Sequence, residues 1–271
     1  MGNTIKNNIS ISKEWFYMTN LIIINVILIV IIVGLLILFK KTCKTERSKY
    51  LVILMIAIAT ILCHYSSLMY HHFKDNTAMD FLVSNPNLVL PIYPCNVVMW
   101  LALVYGILRN KKTKFAMFLG DYIFWFGVIS ASVGMTVNID FFMNPTLLDY
   151  DVTKGIIAHS IMLLNVLALP VLGFTKIRFE RNLLNIFISI VMMYVIGLYC
   201  NLLCRVIGSE QTAYHVNSMF IIHSPFEGVN FLTYPFIATI AFVLYFIIFF
   251  ICDLIAYKKG NRWYNRLIKN K

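Results

Sequence analysis

Seven apolar runs, at about 18–39, 50–70, 88–108, 115–138, 154–174, 182–203 and 235–257, take up most of this 271-residue chain and decide what it can fold into. Each holds the ~20 residues a helix needs to cross a ~30 Å hydrocarbon core at ~1.5 Å per residue. Lipid offers the backbone no hydrogen-bond partner, so a spanning chain must be helical or a closed barrel, and alternating barrel segments are absent. With 60% hydrophobic and 13% charged residues, the chain has too little polar surface for a water-soluble domain. The sequence therefore predicts an all-α, polytopic membrane protein: one integral membrane domain over 1–271, folded as a seven-transmembrane-helix bundle.

The charges give the orientation. Lys40, Lys41, Lys44, Arg47 and Lys49 join runs one and two, Arg109, Lys111, Lys112 and Lys114 join three and four, and Lys176, Arg178 and Arg181 join five and six. Lys258, Lys259, Arg262, Arg266, Lys269 and Lys271 follow the last run. The positive-inside rule places these regions in the cytoplasm, with the N-terminus outside and the C-terminus cytoplasmic. The net charge of +11 thus reflects topology rather than nucleic-acid binding. The first run is too long for a signal-peptide core and its basic cluster follows it, so it reads as an uncleaved anchor. A multi-pass protein of the cell membrane is expected.

Polar residues inside apolar runs cost free energy unless partnered, so their placement carries the functional signal. Thr60, His64, Ser67 and His71 stack on one face of the second run, Tyr194, Gly197, Asn201 and Cys204 on the sixth, and Asp121, Trp125, Ser132 and Thr136 on the fourth. Hydrogen-bond glue between helices explains such stripes as well as a site does. The third run opens Leu90-Pro91-Ile92-Tyr93-Pro94-Cys95-Asn96. Two prolines three residues apart disfavour helix before them, so regular helix should start near Pro94 and put Cys95 in its first turn. The helix dipole there favours thiolate, while apolar burial opposes it. Counted from the outer boundary, Cys95 lies ~10 Å deep, His159 ~8 Å and His64 ~9 Å, a nucleophile and two bases at one level on three helices.

At these residues the chain resembles the YwaF-like family of bacterial seven-helix proteins, whose eukaryotic relative is a transmembrane glycerophospholipid acyltransferase. The resemblance runs from Leu90-Pro91-Ile92-Tyr93-Pro94-Cys95 through Trp125, Gly127 and Gly134, then His159, Asn201, the 208–214 segment and Tyr234-Pro235-Phe236. Tyr93 and Pro94 depart from the His and Leu that precede the cysteine in that family. The resemblance implies acyl transfer between glycerolipids with Cys95 and His159 as catalytic residues. His64, Asn96, Asn201 and Tyr93 are possible supporting residues, Asn96 and Asn201 as oxyanion donors beside backbone N–H groups freed near Pro94.

The expected partners are membrane lipids, a phospholipid donor and a lysolipid acceptor. No cofactor is called for, and no metal, since Cys200 and Cys204 with His64 or His159 lack a fourth ligand. The competing readings are a small-solute transporter of 3+1+3 parallel-repeat type and a non-catalytic membrane protein. The transporter rests on Tyr93-Pro94 and Tyr234-Pro235 opening runs three and seven alike.

Overall fold

The computed structural model describes residues 2–108, 113–136, 146–176, 178–207, 216–224 and 228–269, with side chains from Thr19 onward except those of Ile207 and Lys269. Its helices are α1 (Gly2–Thr42), α2 (Glu46–Asp75), α3 (Ala78–Ser84), α4 (Pro94–Ile107), α5 (Lys114–Thr136), α6 (Tyr150–Val171), α7 (Phe179–Ile207), α8 (Tyr234–Ala256) and α9 (Trp263–Lys269). Short 3-10 turns at Pro86–Leu88, Ser218–Phe220 and Lys259–Asn261 link them, and no strand occurs among the described residues. Six helices (α1, α2, α5, α6, α7 and α8) are long and apolar enough to cross a membrane, making this a multi-pass membrane protein.

The third apolar run yields a shorter helix. Of 88–108 only the 14 residues of α4 are α-helical, about 21 Å of rise. Pro91 and Pro94 are the cause: each lacks an N–H and disfavours helix in the residue before it, so Tyr93 is extended (φ −116, ψ 156) and Pro94 sits in the first turn. The fifth run instead starts early. Asp149 accepts hydrogen bonds from the N–H groups of Asp151 (2.9 Å) and Val152 (3.3 Å), an N-cap that begins α6 at Tyr150.

α6 is the central helix, packed against α1, α2 and α5, with Ile156, Val166, Ala168 and Leu169 almost fully buried. α1 and α8 lie outermost and turn long rows of Ile, Val, Leu and Phe outward, as a lipid-facing helix requires. Successive long helices alternate in direction. One end gathers the close of α1, α4, α6 and α8 with the start of α2, α5 and α7: Tyr50 stacks on Phe174, and Asp121 pairs with Arg181. Arg266 of α9 bridges Glu180 and Asp253 there. Donating hydrogen bonds to Glu180, and then to Asp253, raises the pKa of Arg266 and keeps it a cation. The buried acids Asp121 and Asp253 are thus neutralised by arginines from the basic segments. The other end carries the entrance to α4.

Candidate functional site

Three helices meet at Gly127 of α5. A Cβ there would lie 2.3 Å from Cγ1 of Val166 (α6) and 3.1 Å from Cγ1 of Val98 (α4), so only glycine lets the three backbones approach this closely. Seven residues along α5, and therefore on the same face, a Cβ on Gly134 would lie 2.2 Å from Cδ2 and Nε2 of His159. The Nδ1 of that ring is tied to the Gly155 carbonyl at 2.8 Å, which sets the Nε2 edge over Gly134. From the Gly127 junction His159 rises two turns, about 10.5 Å, and Cys95 about 4.5 Å, both toward the end where α4 begins. Their heights differ by about 6 Å. Cys95, partly buried, packs on the main core. It stands in the first turn of α4, where the N–H of Asn96 donates to the Tyr93 carbonyl at 3.0 Å.

The non-helical backbone before Cys95 is not left bare. The Ile92 carbonyl accepts from Ser218 Oγ (2.8 Å) and Met219 N–H (3.0 Å), and Cys200 Sγ lies 3.9 Å from the Pro91 carbonyl. Asn201 of α7 holds this cover in place: its Oδ1 accepts from Ser218 N–H at 2.8 Å and its Nδ2 donates to the Ser218 carbonyl at 3.2 Å. Met219 (φ 55) and Phe220 (φ 56) adopt the left-handed conformation, and Phe220 lies on the Tyr93 ring at 5.8 Å. Gly197 of α7 makes room, since a Cβ would meet Ile221 Cδ1 at 2.6 Å and Met219 Cγ at 2.8 Å. Irregular backbone at membrane depth requires such protein partners. Asn96 completes the entrance, its Oδ1 accepting from Tyr93 N–H (3.1 Å) and its Nδ2 donating to the Asn87 carbonyl (3.2 Å).

On the opposite wall, α2 runs antiparallel to α6. Ser67 Oγ donates to Asp151 Oδ1 (2.5 Å), His71 Nε2 reaches Asp151 Oδ2 (2.8 Å), and Tyr150 donates to Ser66 Oγ (2.7 Å). One turn deeper, the His64 ring lies within electrostatic reach of Lys154 and His159 and beside the Asn87 carbonyl, with its Nε2 buried and unpartnered.

A family model described as the TMEM164 family matches residues 12–253. The chain belongs to the TMEM164 family. No curated protein and no solved structure matches it.

Within this TMEM164-family chain the residues singled out in the sequence divide into two sets. His159 and Cys95 sit on α6 and α4 beside α5, and His64 sits on α2, which packs against α6. Asn96, Asn201 and Tyr93 build the entrance: every hydrogen bond described above for the two asparagines goes to backbone. The 208–214 segment lies outside the described residues. Asp151 was missed. Its signal was present, because Asp149 as an N-cap places Asp151 in the first turn of a helix, facing the Ser67 and His71 stripe. Among the described residues no three His, Cys, Asp or Glu side chains gather as metal ligands.

Proposed function

We propose that this TMEM164-family chain is a membrane-embedded acyltransferase that moves an acyl chain between glycerolipids, with Cys95 as nucleophile and His159 as general base. The observation carrying the reading is the glycine-lined meeting of α4, α5 and α6, which sets a first-turn cysteine and a glycine-seated histidine on the same side of Gly127. With the basic end in the cytoplasm and the N-terminus outside, both lie in the outer leaflet of the cell membrane, near the depth of phospholipid ester carbonyls.

His159 takes the Cys95 proton, and the thiolate attacks the donor's ester carbonyl. The carbon–oxygen bond breaks, the lysophospholipid alkoxide leaves with that proton, and an acyl thioester remains on Cys95. A second lysolipid then gives its hydroxyl proton to His159 and attacks the thioester, releasing thiolate, which regains the proton. Asn96 and Asn201 spend hydrogen-bonding capacity on the entrance, so the backbone N–H of Cys95 is the better oxyanion donor, because the first N–H groups of a helix have no carbonyl one turn back. Membrane lipids are the only partners this chemistry needs.

The direct test is transfer of a labelled acyl chain from phospholipid to lysophospholipid in vesicles holding the purified chain. Transfer that disappears in Cys95→Ala supports the reading. Its absence in the folded wild-type protein, across donor headgroups, rejects it.

A further inference from the structure

A cavity lies at the opposite end of the bundle from Cys95, about 270 Å³ in volume and lined by Lys40, Cys43, Lys44, Lys49, Val171, Leu172 and Gly173. Its floor is the end of α6, closed by the pattern in which Gly173 N–H bonds Pro170 (3.1 Å) and Phe174 N–H bonds Leu169 (2.8 Å). Gly173 has φ 84 and open space where a Cβ would stand. The carbonyls of Ala168, Leu169 and Pro170 are therefore engaged by α6's own closing turn, leaving them unavailable to the lysines. The walls are the last turn of α1, the linker after it and the first turns of α2, anchored by buried Cys43.

The charge on this cavity is one-sided. Among the described residues neither Lys40 nor Lys44 has a carboxylate within 4.0 Å, and Lys49 shares one with Glu46 at 3.0 Å. Lys44 Nζ rests on the Lys40 carbonyl, which brings two ammonium-bearing side chains to one rim. Lys40 and Lys44 are exposed and lie at the C-terminal ends of α1 and α6, whose dipoles offset part of their repulsion, and an anion seated among them would offset more. The level matters too. α1's apolar run stops at Phe39, directly before Lys40, and the Tyr50 and Phe174 rings stack (5.4 Å) beside the cavity, so it opens where hydrocarbon gives way to headgroups.

We infer that this cavity binds the phosphate of an anionic phospholipid headgroup, in the leaflet at the basic end and away from the Cys95 region. The lysines hold the phosphodiester, and the acyl chains run down the exposed apolar faces of α1 and α2. The same charge chemistry would accept free phosphate, but only a lipid also uses those faces.

The test uses the full chain in nanodiscs of phosphatidylcholine carrying a minor fraction of labelled phosphatidylglycerol or labelled phosphatidylcholine with the same acyl chains, and reads bound label. Juxtamembrane lysines contribute roughly fivefold each, so Lys40→Gln/Lys44→Gln/Lys49→Gln should lower phosphatidylglycerol retention by about 100-fold. The equal charge loss in Lys258→Gln/Lys259→Gln/Arg262→Gln should change it much less than the cavity triple does, because those side chains do not line the cavity. Lys44→Gln alone, at an exposed linker position, should cost about fivefold and serves if the triple variant fails to fold. Equal losses in the two triples, or no preference for phosphatidylglycerol in the wild type, overturn the inference. Displacement of the lipid by inorganic phosphate at matched concentration and constant ionic strength would overturn the lipid assignment. Because the readout is binding, it stands or falls independently of acyl transfer.

Discussion

Gly134→Ala separates a catalytic His159 from one that only fills space. A Cβ at 134 would lie 2.2 Å from Cδ2 and Nε2 of His159, and ordinary contact begins at 3.4 Å, so the ring edge must move by about 1.2 Å. The ring can escape by giving up its Nδ1 bond to Gly155, a net cost of about 1 kcal/mol against the roughly 5–15 kcal/mol that keeps a typical protein folded. The variant should therefore assemble and melt close to wild type. Catalysis is less forgiving: a misplacement of ~1 Å in a reacting group can cost ~100-fold in rate. The assay is labelled acyl transfer in vesicles beside a thermal melt of the same preparation. Gly34→Ala is the control, since nothing lies within 4 Å of a Cβ there. A folded Gly134→Ala protein with wild-type turnover would refute the role given to His159.

Asn201→Leu removes both bonds to the Ser218 backbone and strands a buried N–H, while the carbonyl keeps its bond from Ile221 N–H at 3.3 Å; at about 1–3 kcal/mol for the stranded group, a loss of that order in stability is expected by thermal melting, with protease cleavage appearing in the 216–224 segment. Asp151→Asn weakens the contacts to Ser67 and His71 across α2 and α6; their partial exposure limits the cost to about 1–2 kcal/mol, read as a lower melting temperature, and an unchanged melt would remove this cluster from the account of helix pairing. Single cysteines at Asp75 and Asp149, in a cysteine-free background, should react with an impermeant maleimide on intact cells, and one at Lys259 only after permeabilisation; the reverse pattern would place Cys95 in the wrong leaflet.

Much of this arrangement was legible in the sequence because it follows from local rules. The prolines at 91 and 94 fixed the start of α4 at Pro94, and the spacing of Thr60, Ser67 and His71 gave the inward face of α2, with Thr60 and Ser67 buried. The stripe on α7 was visible, but its occupant was not: Gly197 and Asn201 receive the 216–224 segment, a contact between residues that no helical periodicity links. The shortness of α4 escaped hydropathy counting, which adds apolar residues without asking whether prolines let them be helical. The seat of His159 was illegible for a similar reason, since Gly134 and His159 lie on different helices and the absence of a side chain leaves no pattern. The Tyr-Pro pairs at the starts of α4 and α8 place a proline in the first turn of each helix, which accounts for both without an internal repeat.

The measurement closest to the central claim is the chemical state of Cys95 in the purified protein after incubation with a phospholipid bearing a labelled acyl chain. The account predicts label on Cys95, removed by neutral hydroxylamine as a thioester is, absent from Cys95→Ser, slow to form in His159→Ala, and discharged into product when lysophospholipid is added. A Cys95→Ala protein that is folded and fully active would contradict it, as would a label on Cys95 that persists when lysophospholipid is supplied.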